Sequence, residues 1–194
     1  MIVDHGPDHP MQLSRAAFFA DFYVYPCAAA AVGALAIAST PRHWPALSLA
    51  CLAGLATWTL VEYVMHRWVF HHAPWIRKYH EAHHLHPKVL LGTPTWLSFV
   101  IFLVFVMLPS VLATSLAIGS SFTAGFLLAY LWYVAVHYAS HHWHAEPRGY
   151  FSGVKRRHAV HHYIDIVGNF GVTTPLWDHV FGTLAVHGPV AKRP

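Results

Sequence analysis

The sequence has few charged side chains. They make up 10% of the 194 residues, and only eight of them are acidic, whereas apolar residues make up 56%. A surface made mostly of charged and polar side chains cannot be built from this composition. An ordinary water-soluble globular protein is therefore excluded, and an integral membrane protein is the leading interpretation.

Cysteine is also scarce. Cys27 and Cys51 are the only two, and both lie inside apolar runs. We therefore expect small buried hydrophobic side chains and no disulfide framework. Basic residues interleaved with aromatic ones, the pattern of nucleic-acid-binding surfaces, are missing as well, so no nucleic-acid partner is expected.

The length predicts one domain spanning residues 1–194. Within it we distinguish a polar N-terminal tail at 1–14, membrane helices with a first histidine segment at 15–142, and a C-terminal cap at 143–194. The tail lacks the charged start and the cleavage site of a removable signal peptide.

Four apolar runs extend over about 18–38, 45–64, 96–118 and 122–136. A helix needs roughly 20 apolar residues to cross the hydrocarbon layer. The first three runs are long enough, and the fourth is long enough if its histidine-bearing end protrudes. We predict an all-α bundle of about four transmembrane helices. The first helix could be split, and one run could be re-entrant.

Lysine and arginine lie almost entirely on one side of this topology. Of the twelve, only Arg42 falls in the segments that join runs one and two or runs three and four. Basic residues are concentrated on the cytoplasmic side of membrane proteins. The bias predicts a multi-pass protein with both termini and all the histidine motifs in the cytoplasm.

Histidine, by contrast, is abundant, with 19 copies. His66 and His71 form H-x4-H, and His80, His83 and His84 form H-x-x-H-H. A second arrangement of the same kind, H-x3-H followed by H-x-x-H-H, consists of His137, His141, His158, His161 and His162. The two pairs end the second and fourth apolar runs, so they emerge at one membrane level, and the H-x-x-H-H segments are expected to fold against them as a helical cap.

This spacing predicts metal ligands. Helical residues three and four apart share a face, so H-x-x-H-H presents three imidazoles together and H-x3-H presents two. The H-x4-H pair is off a single face by about one residue, so its members could reach different metals or straddle a helix end. Ten imidazoles are too many for one ion, and five each suit two first-row metals. One H-x-x-H-H alone could instead be a core or interfacial feature.

Six further polar residues are candidates for supporting these ligands. A carboxylate can orient a metal-bound histidine through its other ring nitrogen, although pairing with a basic neighbour is an equal alternative. An asparagine beside glycines could be a turn residue or a site group, and a histidine next to a ligand could be interfacial. The candidates are Glu62, His72, His142, Asn169, Asp178 and His179.

The order of the motifs resembles the fatty acid hydroxylase / sterol desaturase superfamily of membrane di-iron oxygenases, over about residues 60–183. The text around the motifs is similar too, with Glu62-Tyr63 in the first box and Asn169-Phe170-Gly171 in the closing segment. H-x4-H in the first box resembles the ceramide fatty acid 2-hydroxylase branch. The stretch at 86–94 departs from that branch, which leaves the substrate open.

The resemblance implies a cytosol-facing centre of two iron ions, with zinc possible as isolated, held by the ten motif histidines. It implies that O2 is activated there and one oxygen atom enters a C–H bond of a membrane lipid or fatty acyl substrate, with the 2-position as the candidate. Electrons would come from a separate electron-transfer protein. A desaturase or a sterol or carotenoid oxidase on the same core remains an alternative. A non-enzymatic membrane metal-handling protein is the weaker one. The oligomeric state is left open.

Overall fold

The structure is a computed structural model that describes residues 12–185 except 145 and 147. Most of the predicted N-terminal tail, residues 1–11, lies outside this part. Within it the chain is helical, and the only β-type pairing is an isolated bridge between Gln12 and Leu91. The α-helices are α1 Arg15–Phe19, α2 Asp21–Ser39, α3 Trp44–Val64, α4 Pro74–Leu85, α5 Thr95–Phe102, α6 Leu108–Ala113, α7 Leu116–His142, α8 Tyr150–Tyr163 and α9 Leu176–Val180. Two π-helical segments, Met65–Phe70 and Leu103–Met107, continue α3 and α5.

Four helical stretches are long and apolar enough to cross a membrane. They are Arg15–Ser39, Trp44–Phe70, Thr95–Ala113 and Leu116–His142. The predicted all-α bundle of about four membrane helices is thereby confirmed. The first stretch is split at Ala20, between α1 and α2, as the sequence had allowed.

The boundary between the third and fourth helices differs from the prediction. The third stretch ends at Ala113, and α7 already begins at Leu116, so residues 116–118 belong to the fourth helix. Ser115 marks the start, because its side-chain oxygen accepts a hydrogen bond from the backbone N–H of Ile118. Such a cap satisfies an N–H group that has no partner within the helix. Hydropathy hides this turn because apolar residues flank it on both sides.

Helix α7 is the centre of the bundle and packs against α2 and α3. It approaches α3 through glycines: a Cβ atom on Gly125 would lie 2.0 Å from the carbonyl oxygen of Cys51, and one on Gly54 would lie 2.0 Å from that of Phe122. Small residues of this kind let membrane helices come close. The expectation that both cysteines are buried is wrong for Cys27, which is exposed on α2, and Cys51 is only half-buried.

The remaining elements form a cap at the end where α3 and α7 finish. Val136 of α7, Val154 of α8 and Val172 of the following loop form one buried apolar cluster. The ring of Tyr63 near the end of α3 stacks on Phe181, with centroids 5.2 Å apart. These contacts hold α8, the loop at 168–173 and α9 against the bundle end that carries the histidine pairs.

Candidate metal centre

The ten motif histidines converge at the junction of bundle and cap and divide into two groups of five. In each group one ring nitrogen from every member lies within 4.8 Å of the others. The first group consists of His66, His71, His80, His84 and His161. The second group consists of His83, His137, His141, His158 and His162. Each is a set of nitrogen donors of the size expected for one first-row metal ion.

The π-helical segment Met65–Phe70 explains the H-x4-H spacing. A π-helix bonds residue i to residue i+5, so residues five apart lie above one another. His66 and His71 are five apart, and their rings stack with centroids 5.2 Å apart. The sequence had left open whether they serve different metals. The structure places both in the first group.

Each H-x-x-H-H segment serves both groups, which the sequence had not indicated. His80 and His84 of α4 point into the first group while His83 points into the second. Helical residues four apart are rotated by about 40°, whereas successive residues are about 100° apart. The outer pair therefore shares a direction that the inner histidine does not.

In α8 the assignment is reversed. His158 and His162 belong to the second group and His161 to the first. The rings of His84 and His162 stack across the boundary between the groups, with centroids 4.2 Å apart. Both cap helices therefore contribute ligands to both groups, so the position of each helix affects both groups.

Hydrogen bonds among the rings cannot account for this convergence. The Nε2 atom of His80 lies 3.1 Å from that of His66, 3.0 Å from that of His71 and 3.0 Å from that of His84. An imidazole nitrogen carries either one proton or one lone pair, so it can satisfy one such neighbour and not three. Lone pairs directed at a shared cation would satisfy all four nitrogens at once.

The second group shows the same crowding. Nε2 of His158 lies 2.8 Å from Nε2 of His141, and Nε2 of His137 lies 3.1 Å from that of His83. Nε2 of His162 is buried and has no hydrogen-bond partner among the described residues. A buried nitrogen without a partner is costly in a dry interior, and a bound metal ion would remove that cost.

Backbone carbonyls orient two rings of the first group. Nδ1 of His66 lies 2.7 Å from the carbonyl oxygen of Phe170, and Nδ1 of His161 lies 2.8 Å from that of Gly168. A carbonyl only accepts, so both Nδ1 atoms carry the proton and each Nε2 is left with its lone pair facing the group. Hydrogen bonds of this kind fix the tautomer of metal-binding histidines.

Burial keeps the cap histidines neutral. Burial, and to a smaller extent the neighbouring imidazoles, lower the pKa of His71 to about 4 and that of His83 and His161 to about 3. The pKa values of His80, His158 and His162 are lowered for the same reason. Only neutral imidazole binds metal, so the rings are ready to bind at neutral pH.

Asp178 organises the loop that supplies the two carbonyls. Its side chain is fully buried. One oxygen accepts from the N–H of Phe170 at 2.9 Å and from the hydroxyl of Thr183 at 2.8 Å. The other accepts from the N–H of Gly171 at 2.8 Å. The carboxylate thus acts on the loop backbone, and among the described residues it has no hydrogen bond to a histidine ring.

Glu62 and Asn169 also act on this segment. Glu62 is buried and accepts from the N–H of Thr173 at 2.8 Å and from its hydroxyl at 2.6 Å. Among the described residues, neither a ligand ring nor a basic residue is hydrogen-bonded to Glu62, and its two bonds go to Thr173. Asn169 is a turn residue with φ 57°, and its amide bonds Ala185 across the loop.

The other three candidates lie away from both groups. His72 is exposed and bonded to the carbonyl oxygen of Arg67. His142 stacks on Tyr138, with centroids 4.1 Å apart, and His179 is exposed on α9. The sequence reasoning missed the carbonyls of Gly168 and Phe170. The sequence feature that could have indicated this loop is the pair of glycines, Gly168 and Gly171, on either side of Asn169 and Phe170.

A family model described as fatty acid hydroxylase matches residues 51–183, which include all ten histidines. The chain belongs to the fatty acid hydroxylase family. The resemblance drawn from the motifs is confirmed. The matched segment covers most of the second membrane stretch, the third and fourth stretches, and the described part of the cap up to residue 183.

Three named hydroxylases illustrate how similar this chain is to its relatives. It is 33% identical over 166 residues to a dihydroceramide fatty acyl 2-hydroxylase of Arabidopsis thaliana, covering 80% of this chain and 69% of the relative. It is 36% identical over 150 residues to a ceramide very long chain fatty acid hydroxylase of Schizosaccharomyces pombe, covering 68% and 41%. A fatty acid 2-hydroxylase of Homo sapiens is 31% identical over 153 residues, covering 73% and 41%. The chain thus spans less than half the length of the yeast and human relatives.

The fold agrees with a solved member. The structure of full-length scs7p, in which only the hydroxylase domain is visible, superposes with a TM-score of 0.74 at 27% identity. The match covers 94% of this chain and 71% of that one. The bundle with its histidine-bearing cap is therefore the architecture of a family hydroxylase domain.

Proposed function

We propose that this chain hydroxylates the acyl chain of a membrane lipid at the 2-position, using two metal ions held by the two groups of five histidines. The observation that carries the proposal is the convergence of ten buried or half-buried imidazoles into two adjacent donor sets at one end of a membrane bundle. The named relatives are 2-hydroxylases of fatty acyl groups, which supports the reaction and the position.

Iron is the metal that the proposal requires. Imidazole binds iron, zinc, copper and nickel, but zinc has no redox chemistry and usually takes four ligands at a structural site. Iron would supply the reduction of O2 and the oxidant for the C–H bond. Zinc could occupy the same histidines in isolated protein without supporting turnover.

The residues around the centre would hold its rings and keep water out. Burial of the cap histidines keeps them unprotonated, and the carbonyls of Gly168 and Phe170 keep two rings in position. Tyr133 covers His137 from the bundle side, with stacked rings 5.6 Å apart. Exclusion of water strengthens the electrostatic interactions inside the site and prevents side reactions.

The depth of the centre supports the 2-position. His66 and His137 lie near the ends of the second and fourth membrane stretches. Because the apolar part of each stretch ends there, we expect both residues at the level of the interface. In an acyl lipid, carbon 2 is adjacent to the polar carbonyl group and so also lies near the interface. A carbon in the middle of the acyl chain lies deep in the hydrocarbon, so the chain would have to bend back to bring that carbon to the centre. Positioning of this kind decides which bond meets the oxidant.

The topology is proposed from the charge distribution. From their order in the sequence, eleven of the twelve lysine and arginine residues are expected on the side of the cap. That side is expected to be cytoplasmic, with both termini there as well. A separate electron-transfer protein would then reach the cap from the cytosol.

The test is lipid mass spectrometry on cells that express the chain or one of two matched variants. His141 belongs to the second group, whereas its neighbour His142 does not. We expect lipids heavier by one oxygen, located at carbon 2, with the intact chain and with His142→Ala, and none with His141→Ala. The iron content of the purified protein should likewise be the same in the intact chain and in His142→Ala, and lower in His141→Ala.

Other outcomes have distinct meanings. Lipids lighter by two hydrogens would favour the desaturase alternative. Bound metal with no lipid change, in cells supplied with a compatible electron donor, would favour metal handling. Equal products from both histidine variants would refute the ligand assignment.

A further inference from the structure

A line of aromatic side chains leads from the second histidine group into the bundle. Tyr133 stacks on His137 at 5.6 Å between centroids, and Trp58 lies 5.6 Å from Tyr133. Tyr130 follows at 5.0 Å from Trp58, and Tyr25 at 4.8 Å from Tyr130. Trp58, Tyr130 and Tyr25 are buried. The line therefore has no break between the candidate metal centre and the second turn of α2.

The line reaches a buried carboxylate. The hydroxyl of Tyr130 donates to Asp21 at 2.6 Å, and the hydroxyl of Thr95 donates to its other oxygen at 2.6 Å. Asp21 is 6% exposed, and no ion pair involves it among the described residues. A carboxylate inside a membrane helix without a basic partner is costly and indicates a function.

Packing alone does not require these residue types. Phe102 and Phe126 fill the same aromatic cluster without polar atoms. The buried Nε1 of Trp58 has no hydrogen-bond partner among the described residues, so indole adds an unsatisfied donor where phenylalanine would add none. Tyr130 likewise needs Asp21 to satisfy its hydroxyl. The line thus keeps polar aromatic rings at a cost to stability.

Phenol and indole rings are the side chains that give up one electron most readily after thiols. A phenol that loses an electron becomes a strong acid, so its proton must pass to a base within hydrogen-bond distance. Tyr130 has such a base in Asp21, and the bond between them is charge-assisted. Tyr133 and Trp58 lie between this pair and His137.

We propose that Tyr133, Trp58 and Tyr130 form a relay that returns an electron to the metal centre when it has been oxidised with no lipid C–H bond in place. The inference rests on the proposed function, because the oxidant is the centre after reaction with O2 or a peroxide. Tyr130 loses one electron to the centre and its phenolic proton to Asp21. The products are a neutral phenoxyl radical, a protonated Asp21 and a centre reduced by one electron. One electron from the separate electron-transfer protein that also supplies the hydroxylation, together with the proton from Asp21, restores the phenol, and the ligand histidines escape oxidation.

The test uses the full chain in detergent, loaded with iron and treated with hydrogen peroxide in the absence of lipid, so that no electron donor is required. Samples frozen within seconds are measured by electron paramagnetic resonance. Chains grown with ring-deuterated tyrosine identify a tyrosyl signal by its narrowing. The variants are Tyr130→Phe and Asp21→Asn, with Tyr138→Phe as the control, since Tyr138 stacks on His142 outside the line.

We expect a tyrosyl signal in the unaltered chain and in Tyr138→Phe, and a loss of at least tenfold in Tyr130→Phe and Asp21→Asn at unchanged iron content. Peptide mass spectrometry should show faster oxidation of His137 in the two relay variants. An unchanged signal in Tyr130→Phe would overturn the relay. No signal in a chain that still hydroxylates lipid would overturn the relay and leave the proposed function standing. Neither signal nor lipid product from an iron-loaded chain supplied with donor would overturn both.

Discussion

Replacing Asp178 by asparagine should empty one of the two histidine groups and spare the other. The carboxylate accepts three hydrogen bonds from the segment that follows α8 and from Thr183. Asparagine has nearly the same shape but only one acceptor oxygen. Its NH2 group must face either Gly171 N–H or the pair formed by Phe170 N–H and the Thr183 hydroxyl, and a donor then opposes a donor.

The size of the effect follows from these bonds. A hydrogen bond to a charged group contributes about 1.5–3 kcal/mol, and a buried donor left unpaired costs about 1–3 kcal/mol. Asparagine loses at least one bond and weakens the rest, so the loop at 168–171 should lose about 2–4 kcal/mol of stability. Its carbonyls orient His161 and His66, both in the first group. Loss of such support typically lowers metal affinity by about 10–100-fold.

The assay is metal content per chain after dialysis against a chelator of graded strength. The unaltered chain should hold two metal ions. At chelator strengths that remove neither ion from the unaltered chain, Asp178→Asn should hold about one. Glu81→Gln is the control, because Glu81 pairs with Arg77 on an exposed face of α4 and such pairs contribute little. Loss of both ions in parallel, or of neither, would refute the reasoning that the loop supports one group.

Three further predictions concern the loop glycine Gly171, the packing of α3 on α7, and the effect of pH on stability. Gly171→Ala places a Cβ atom 2.1 Å from the carbonyl oxygen of Thr174 and 2.8 Å from Asp178, so it should reproduce the metal loss of Asp178→Asn in the same dialysis. Gly125→Val must force α3 and α7 apart and should lower the midpoint of thermal unfolding in detergent by many degrees, whereas Gly33→Ala, with a nearest neighbour at 4.0 Å, should leave it unchanged. Metal-free protein should lose stability as pH falls from 6.5 towards about 4, because burial lowers the pKa of cap histidines such as His71 from 6.5 to about 4 and the unfolded chain then binds more protons. Unfolding midpoints that stay level across that pH range would contradict this account.

Much of the fold was predictable because the membrane imposes simple rules. A span must be long and apolar, so four helices could be found from hydropathy alone. Where a rule did not apply, the prediction failed. The turn at Thr114 and Ser115 joins two apolar helices, and apolar composition on both sides conceals it. Apolar composition also does not indicate that Cys27 faces outward, because a small apolar side chain in a membrane helix can face either the lipid or the interior of the bundle.

The sequence by itself determined which ten histidines come together, because their spacing places them on helix faces and their positions lie at one membrane level. Their role as ligands stays a prediction. Only the tertiary structure decided how they divide. Membership of a group depends on the direction of each ring, and that direction is set by the π-helical segment at Met65–Phe70 and by α4 and α8 lying between the two groups. It also decided the role of the buried carboxylates. Glu62 and Asp178 hold a backbone loop and not a ring, because the folded chain brings N–H groups of the loop at 168–173 to carboxylates on two different helices. Such contacts between distant segments leave no periodic trace in a sequence.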